Sequence, residues 1–594
     1  MKIAMSDPMS LSRSSDRALL LLLSLVTAVL AAYTAELHSK STEQFQGAES
    51  VKVDTVVFPT SCSPQAQGHF VRGVTALHSF WYPLALDEFR ESTRVDPNCM
   101  MGYWGEAMAH NHPIWGDPQE TEVVRKVIEN IKITPKLTAR ERAWLNAVRV
   151  LYGEGNRLAR DKGYAAAMEK IYRDYPNDPE AALFYALALM GTVRSEDPAG
   201  AQTRWHAGEI VAAVYKENPY HPGAAHYLIH AYDDPAHAHL ALDAARRYAE
   251  IAPQAPHALH MPSHIFLQLG MWPEAAASNE ASWEASNQWI QQQNLPISER
   301  SYHSLRWLMY IYLQQGRYDK AKEQLTLMGE SLAQFPQDDP RNLIFGTFTH
   351  AAMAAIFVVE TERWEAAEQL LPKGGGIQAQ TDSSSNPIQT NLAIVQTPAI
   401  FARALAAAVK NSPQAQKSIT ELQAIREKAL GAPEPFIAEI GGMTEVQEWE
   451  IEAITAAAKN DFDKAMGMMQ KATALEEAMP PPSGPPLVIK PSHELFGEIL
   501  LRAGRPQEAV EQFAISLRRH PNRARSLLGA ARAAAHSGDT QSAVKFYKQF
   551  EQQWRQADAQ LPELGEARDY LKRADSGIVG KSLMSLNIVP SFGR

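Results

Sequence analysis

The stretch Gly223-Ala224-Ala225-His226-Tyr227-Leu228-Ile229-His230, answered one period later by His257-Ala258-Leu259-His260-Met261-Pro262-Ser263-His264, decides how the chain is read. Each half holds a His-x-x-x-His pair, 226/230 and 260/264. Four residues make about one helical turn, so the partners of each pair share a helix face. The pairs are offset by 34 residues, as are the prolines ahead of them (Pro219, Pro253) and the alanines behind them (Ala241, Ala275). A fixed period of this length marks a repeat array, whose units bury their apolar faces only by stacking on one another. The imidazoles then stand at matching places on two neighbouring parallel helices.

Outward from this stretch the landmarks recur. Residues 65–98 carry Gly73, Phe80, Tyr82, Ala85, Phe89 and Asp96-Pro97, and the next unit opens at Cys99 with Tyr103-Trp104-Gly105-Glu106. Leu267-Gln268-Leu269-Gly270-Met271-Trp272 returns as Leu313-Gln314-Gln315-Gly316-Arg317-Tyr318, and superposing those glycines brings His303 to the place of His257. Gly504/Ala509 and Gly538/Ala543 keep the same spacing near the C terminus. The pattern is faint between 340 and 475, where a Gly/Ser-rich loop (373–387) interrupts it.

These landmarks resemble the tetratricopeptide repeat. The resemblance implies an all-α fold, a right-handed superhelix of helical hairpins forming an α-solenoid. The first helix of each unit would line a concave groove for a peptide, protein or small-molecule ligand. The expected division is a signal peptide or N-terminal anchor (1–35), a linker (36–64) and a solenoid (65–475) with a His-rich groove at 222–310. A Pro-rich hinge (476–490), C-terminal units (491–557) and a tail (558–594) complete it.

Of the 594 residues, 45% are hydrophobic and 21% charged, as in a folded protein, and the formal charge of −10 gives no nucleic-acid footprint. Lys2, Arg13 and Arg17 precede the uncharged run 18–32, which is short for a membrane span and has small residues behind it. The body is therefore expected to be exported, periplasmic or secreted, with a membrane contact only if that segment is an uncleaved anchor. In an oxidising compartment the two cysteines, Cys62 and Cys99, which precede corresponding helices of adjacent units, are expected to pair.

The same resemblance assigns His226, His230, His257, His260, His264 and His303 to groove-facing positions. Partners four apart are separated by about 6 Å along a helix, and neighbouring axes by about 8–10 Å, so the rings can converge on a single ion. Neutral imidazoles suit copper or zinc, and also iron. Asp233 and Asp234 would be ligands or outer acceptors that fix a ring nitrogen. Pro262 leaves a second possibility open: a helix beginning there would put His257 and His260 in the preceding loop. A pH-responsive peptide groove is the competing use of the same rings.

His78, His110, His112, Arg306 and Tyr310 are expected at the groove rim, and Glu494 and Glu498 on a second, acidic surface. Gly577-Ile578-Val579-Gly580-Lys581-Ser582 has the wrong glycine spacing for a nucleotide loop, and no flavin signature is present. Two functions fit: a binding scaffold whose metal is structural or cargo, or a metal-dependent enzyme acting on a substrate in the groove. Three or four His ligands with a vacant position would favour the enzyme.

Overall fold

The structure, a computed structural model, describes residues 56–114, 119–194, 197, 199–372, 387–432, 435–480 and 482–576. The expected signal or anchor, most of the linker, the loop 373–386 and the Gly577–Ser582 stretch lie outside the described residues.

The described chain is a succession of antiparallel helical hairpins with no strand among its residues. Pro64–His78 pairs with Tyr82–Val95, Pro179–Thr192 with Gly200–Glu217, and Pro222–Ala231 with Leu242–Ile251. Further along, Tyr302–Gln314 pairs with Tyr318–Leu332, Ser492–Arg502 with Pro506–Arg519, and Ala524–Ser537 with Thr540–Gln553.

A left-handed residue ends the first helix of many units. Gly270, Gly316, Gly504 and Gly538 take φ of 66°, 70°, 73° and 84°. The next N–H then reaches back five residues to a helix carbonyl: Met271 to Phe266 (2.7 Å), Arg317 to Tyr312 (2.9 Å), Arg505 to Leu500 (2.9 Å) and Asp539 to Ala534 (2.9 Å). Five residues after each glycine stands an alanine with no exposed surface: Ala275, Ala321, Ala509 and Ala543. Asn460 (φ 60°) and Asn411 (φ 49°) do the same work in the middle units, with Asp461 N–H on Ala456 and Ser412 N–H on Ala407. The short side chain of asparagine tolerates this conformation, so the turn survives where the glycine landmark is missing.

Adjacent hairpins interlock through phenylalanines. Phe89 lies sixteen residues after Gly73 and sixteen before Gly105, and Phe513 stands likewise between Gly497 and Gly529. A methyl group on any of these glycines would run into the ring.

Within the described residues both ends of the array pack back on its middle. The first hairpin packs against the His units: Trp81 meets Trp289 edge-on at 4.9 Å, and the His78 ring lies against Gly223. From the other end, Trp272 donates to the Asn522 carbonyl (3.0 Å), and Trp554 donates to that of Gln314 (3.1 Å).

Three expected segments differ accordingly. Residues 56–63 are not a linker, because Phe58 is buried against Phe70, Trp104 and Trp144. The Pro-rich stretch is no free hinge, since Gln268 donates to the Pro482 carbonyl (2.6 Å) and Gly484 lies under Trp307. The supposed tail forms the helix Pro562–Asp575, with Leu564, Ala567, Tyr570 and Leu571 buried.

Replacing Gly529 by Ala, which needs the Phe513 ring to move, is expected to lower stability by about 1–3 kcal/mol. Gly467→Ala, in mid-helix with open space around it, should raise stability by about 0.5–1 kcal/mol. Urea denaturation of the two variants checks the pair of signs.

Candidate metal centre

The helix Pro222–Ala231 begins with proline at its first turn, where the missing N–H costs nothing, and carries His226 and His230 on one face. In the next unit Pro262 splits the inner helix into Pro256–His260 and Pro262–Gln268. Met261 between them keeps helical dihedrals (φ −54°, ψ −38°), so His260 and His264 stay on one face and His257 lies in a short helix of its own, not in a loop. His303 is the second residue of Tyr302–Gln314.

These six rings form two sets, not one. His226, His230 and His257 make the first and His260, His264 and His303 the second, the facing ligand atoms of each set lying within 4.8 Å of one another. The middle unit supplies both: His257 faces back to the preceding unit, and His260 and His264 face forward to the next. Convergence on a single ion is therefore corrected to two adjoining clusters. Rings of the two sets touch, with His230 6.0 Å from His264 and His257 6.2 Å from His260 between centroids.

Hydrogen bonds made outside the clusters turn the rings inward. His226 Nδ1 is bonded to the His78 carbonyl (2.6 Å), His260 Nδ1 to Asn279 Oδ1 (2.7 Å) and His264 Nδ1 to Asp233 Oδ2 (2.6 Å). Their Nε2 atoms are left to face partners: His226 to His257 at 3.1 Å, and His260 to His264 at 3.1 Å. Imidazoles bonded to one ion at ~2.0–2.1 Å in near-tetrahedral geometry have nitrogens about 3.1–3.4 Å apart, so this spacing suits a metal. Buried His230 Nε2 has no hydrogen-bond partner, as a ligand atom would in a structure without ions.

Aromatic side chains wall the clusters. Phe80 lies against His226, His257 and His230 (centroids 4.4, 5.5 and 5.7 Å), and Trp307 against His264, His260 and His303 (4.3, 4.8 and 5.7 Å). Phe80 holds φ of 51° at the turn place where other units use Gly or Asn. A bulky residue is strained there, and the strain puts its ring against the first cluster.

Residues 495–562 match the Tetratricopeptide repeat family. The chain carries tetratricopeptide repeats. Similar solved structures include the P58(IPK) TPR domain (14% identity, 67% of this chain and 99% of that one, TM-score 0.19). Human IFIT1 as a dimer with m7Gppp-AAAA is another (13%, 84% and 92%, 0.31), as is the APC/C hetero-tetramer Cut9-Hcn1 (12%, 86% and 96%, 0.23). Such scores carry no parallel in overall path or ligand. No curated protein sequence matches. As a class, tetratricopeptide-repeat folds bind proteins or peptides on their stacked helices.

The other expected site residues are placed as follows. Asp233 is the outer acceptor, also taking a bond from Gln268 (3.1 Å), whereas Asp234 turns away to cap the loop at Ala236 and His237. His78 is not at a rim but fully buried: its Nε2 meets Glu180 (2.8 Å) and its Nδ1 the Tyr227 hydroxyl (2.9 Å). Glu180 also holds His221 (3.0 Å), so this third group, which has metal-ligand composition, spends its atoms on one another. The two imidazoles, each attracting the carboxyl and each hydrogen-bonded to it once, keep Glu180 far below the usual range despite its burial.

His110 pairs with Glu120 (2.6 Å) and His112 packs on Tyr82 (4.1 Å), away from the clusters. Tyr310 is buried and receives Arg523 (3.1 Å), while Arg306 is half-buried one turn beyond His303. Glu494 and Glu498 form no surface. Lys490 lies between them (3.1 and 2.6 Å), and Arg523 forks onto Glu494 (2.7 and 3.0 Å). Cys62 and Cys99 are paired, Cα atoms 4.5 Å apart. Asn279, Glu180, His221, Phe80 and Trp307 went unrecognised as site residues; the strongest signal missed was His221, in the run that opens the first His helix.

Burial sets the charge of the centre. Desolvation lowers the pKa of His226 to about 3 and holds His230, His257, His260 and His303 well below the ordinary value. They are neutral at pH 7, the form that binds metal. Below about pH 6.5 the unfolded chain takes up protons that the folded chain refuses, so stability is full above that pH and falls below it. For the fully buried His226 and His260 the loss approaches about 1.4 kcal/mol per pH unit each. The urea midpoint of chelator-treated protein should accordingly be lower at pH 5.5 than at pH 7.5; equal midpoints would contradict the neutral, buried assignment.

Proposed function

We propose that the chain is an exported tetratricopeptide-repeat metalloenzyme with two transition-metal ions, one in each set of three histidines. The observation that carries the reading is the grouping itself: two adjoining triads of imidazoles, the ligand nitrogens of each lying within 4.8 Å of one another. Three protein ligands leave a position open on each ion, the arrangement of catalytic sites and not of closed structural ones. Because the two sets adjoin, ions held by them would be neighbours acting on one substrate.

Donor chemistry orders the metals. Six imidazoles suit copper first and zinc second; iron in such sites ordinarily takes a carboxylate as well, and Asp233 is engaged with His264 and Gln268. Such ions would supply an activated oxygen ligand or a redox couple to a substrate at the open positions. The protein's own part is to hold the rings by Nδ1, exclude water with Phe80 and Trp307, and fix their neutral form by burial. Export agrees with the Cys62–Cys99 pair, which an oxidising compartment preserves. The reading in which the metal is cargo of a scaffold predicts closed coordination and is less favoured by sets of three.

Elemental analysis of protein from the exported fraction should find about two copper or zinc ions per chain. His303→Ala should bring this to about one with the first set intact, and His226→Ala should do the same from the other side. Equal traces in native protein and variants would overturn the metal centre.

A further inference from the structure

Beside the second cluster stands an arginine that makes no close ion pair. Arg306 follows His303 by three residues on Tyr302–Gln314, hence on the same face. It is half-buried, its guanidinium 5.5 Å from the centroid of the Phe348 ring on Pro340–Thr361. The one carboxylate that faces it among the described residues, Glu439, attracts it from beyond ion-pair distance and is itself pushed toward its neutral form by burial. The interior arginines elsewhere are all engaged: Arg523 with Glu494 and Glu360, Arg525 with Glu362, and Arg532 with Glu566. A desolvated guanidinium with no carboxylate at contact distance is costly, and it becomes more so if cations occupy the adjoining triads. Imidazole ligands bring no negative charge, and the single carboxylate behind them, Asp233 on His264, offsets only part of that of two ions. An anion lying between the ions and Arg306 relieves both.

We infer that Arg306 binds the carboxylate of a small organic substrate and orients it at the open positions of the second histidine set. The planar fork matches a carboxylate with two parallel hydrogen bonds, and the neighbouring Trp307 and Phe348 rings offer an apolar wall for the body of such a molecule. The metal-bound form of this site rests on the reading above; the guanidinium itself does not.

The test is calorimetric titration of acetate and benzoate, with acetamide and benzamide as neutral counterparts, into copper-loaded and metal-free protein. In the loaded protein the carboxylates should bind and the amides should not. Arg306→Gln should weaken carboxylate binding about tenfold or more, the value of one charged hydrogen bond, and Arg306→Lys should retain part of it. Copper content and melting temperature should match the native protein in both variants. Metal-free protein should still bind benzoate, more weakly, and lose it in Arg306→Gln; that result would keep the arginine site even if no metal were found. Equal carboxylate binding by native and Arg306→Gln protein, no carboxylate binding by either native form, or tighter binding of inorganic phosphate than of carboxylates would each overturn the proposal.

Discussion

The bond from His226 Nδ1 to the carbonyl of His78 joins residues 148 apart in the chain, and the centre depends on it. It exists because the first hairpin folds back onto the His units, where the Glu180 carboxylate, held by His78 and His221, locks the contact from beneath. A histidine on a helix can present either nitrogen and swing about its side-chain bonds. An acceptor fixed at Nδ1 removes that freedom and commits Nε2 to the inside. Asn279 and Asp233 impose the same commitment on His260 and His264. The clusters are thus a product of closure: the repeats supply the rings, and contacts between distant or adjacent units aim them.

Closure from the C-terminal side is electrostatic. Arg523, Glu494, Glu360 and Lys490 are almost completely buried and satisfy one another, with Tyr310 and Ser526 completing the set. Such a network adds little net stability over an apolar contact, yet breaking one member would strand a charge, so it fixes a single docking register. The register places Pro482 against Gln268 and Gly484 under Trp307, next to the second cluster. The stretch that reads as a hinge by composition therefore acts as a strap over the centre.

Much of the fold was legible in the sequence, because a repeat writes its landmarks at a fixed period. Gly270, Gly316, Gly504 and Gly538 mark turns that require a left-handed residue, and the alanines five residues on mark close helix approaches. The middle units were obscure since Asn411 and Asn460 fill that place, and a search for glycine passes over them. The repeat register, with the resemblance it carries, singles out all six clustered histidines, and the register with an oxidising compartment pairs the cysteines. The division of the histidines into two sets was not legible, because it depends on which neighbour each ring faces, and helical spacing is silent on that. The second acidic surface is where the reading fails: Glu494 and Glu498 have the spacing of a wet face, and only the docking of Arg523 and Lys490 buries them.

The most direct measurement is a crystal structure of copper-loaded protein with anomalous diffraction collected across the copper absorption edge. Two peaks are predicted, one bonded to His226, His230 and His257 and the other to His260, His264 and His303, each at ~2.0–2.1 Å from three imidazole nitrogens. A single peak shared by all six rings, or rings that stay metal-free at full occupancy of copper elsewhere, would contradict the account.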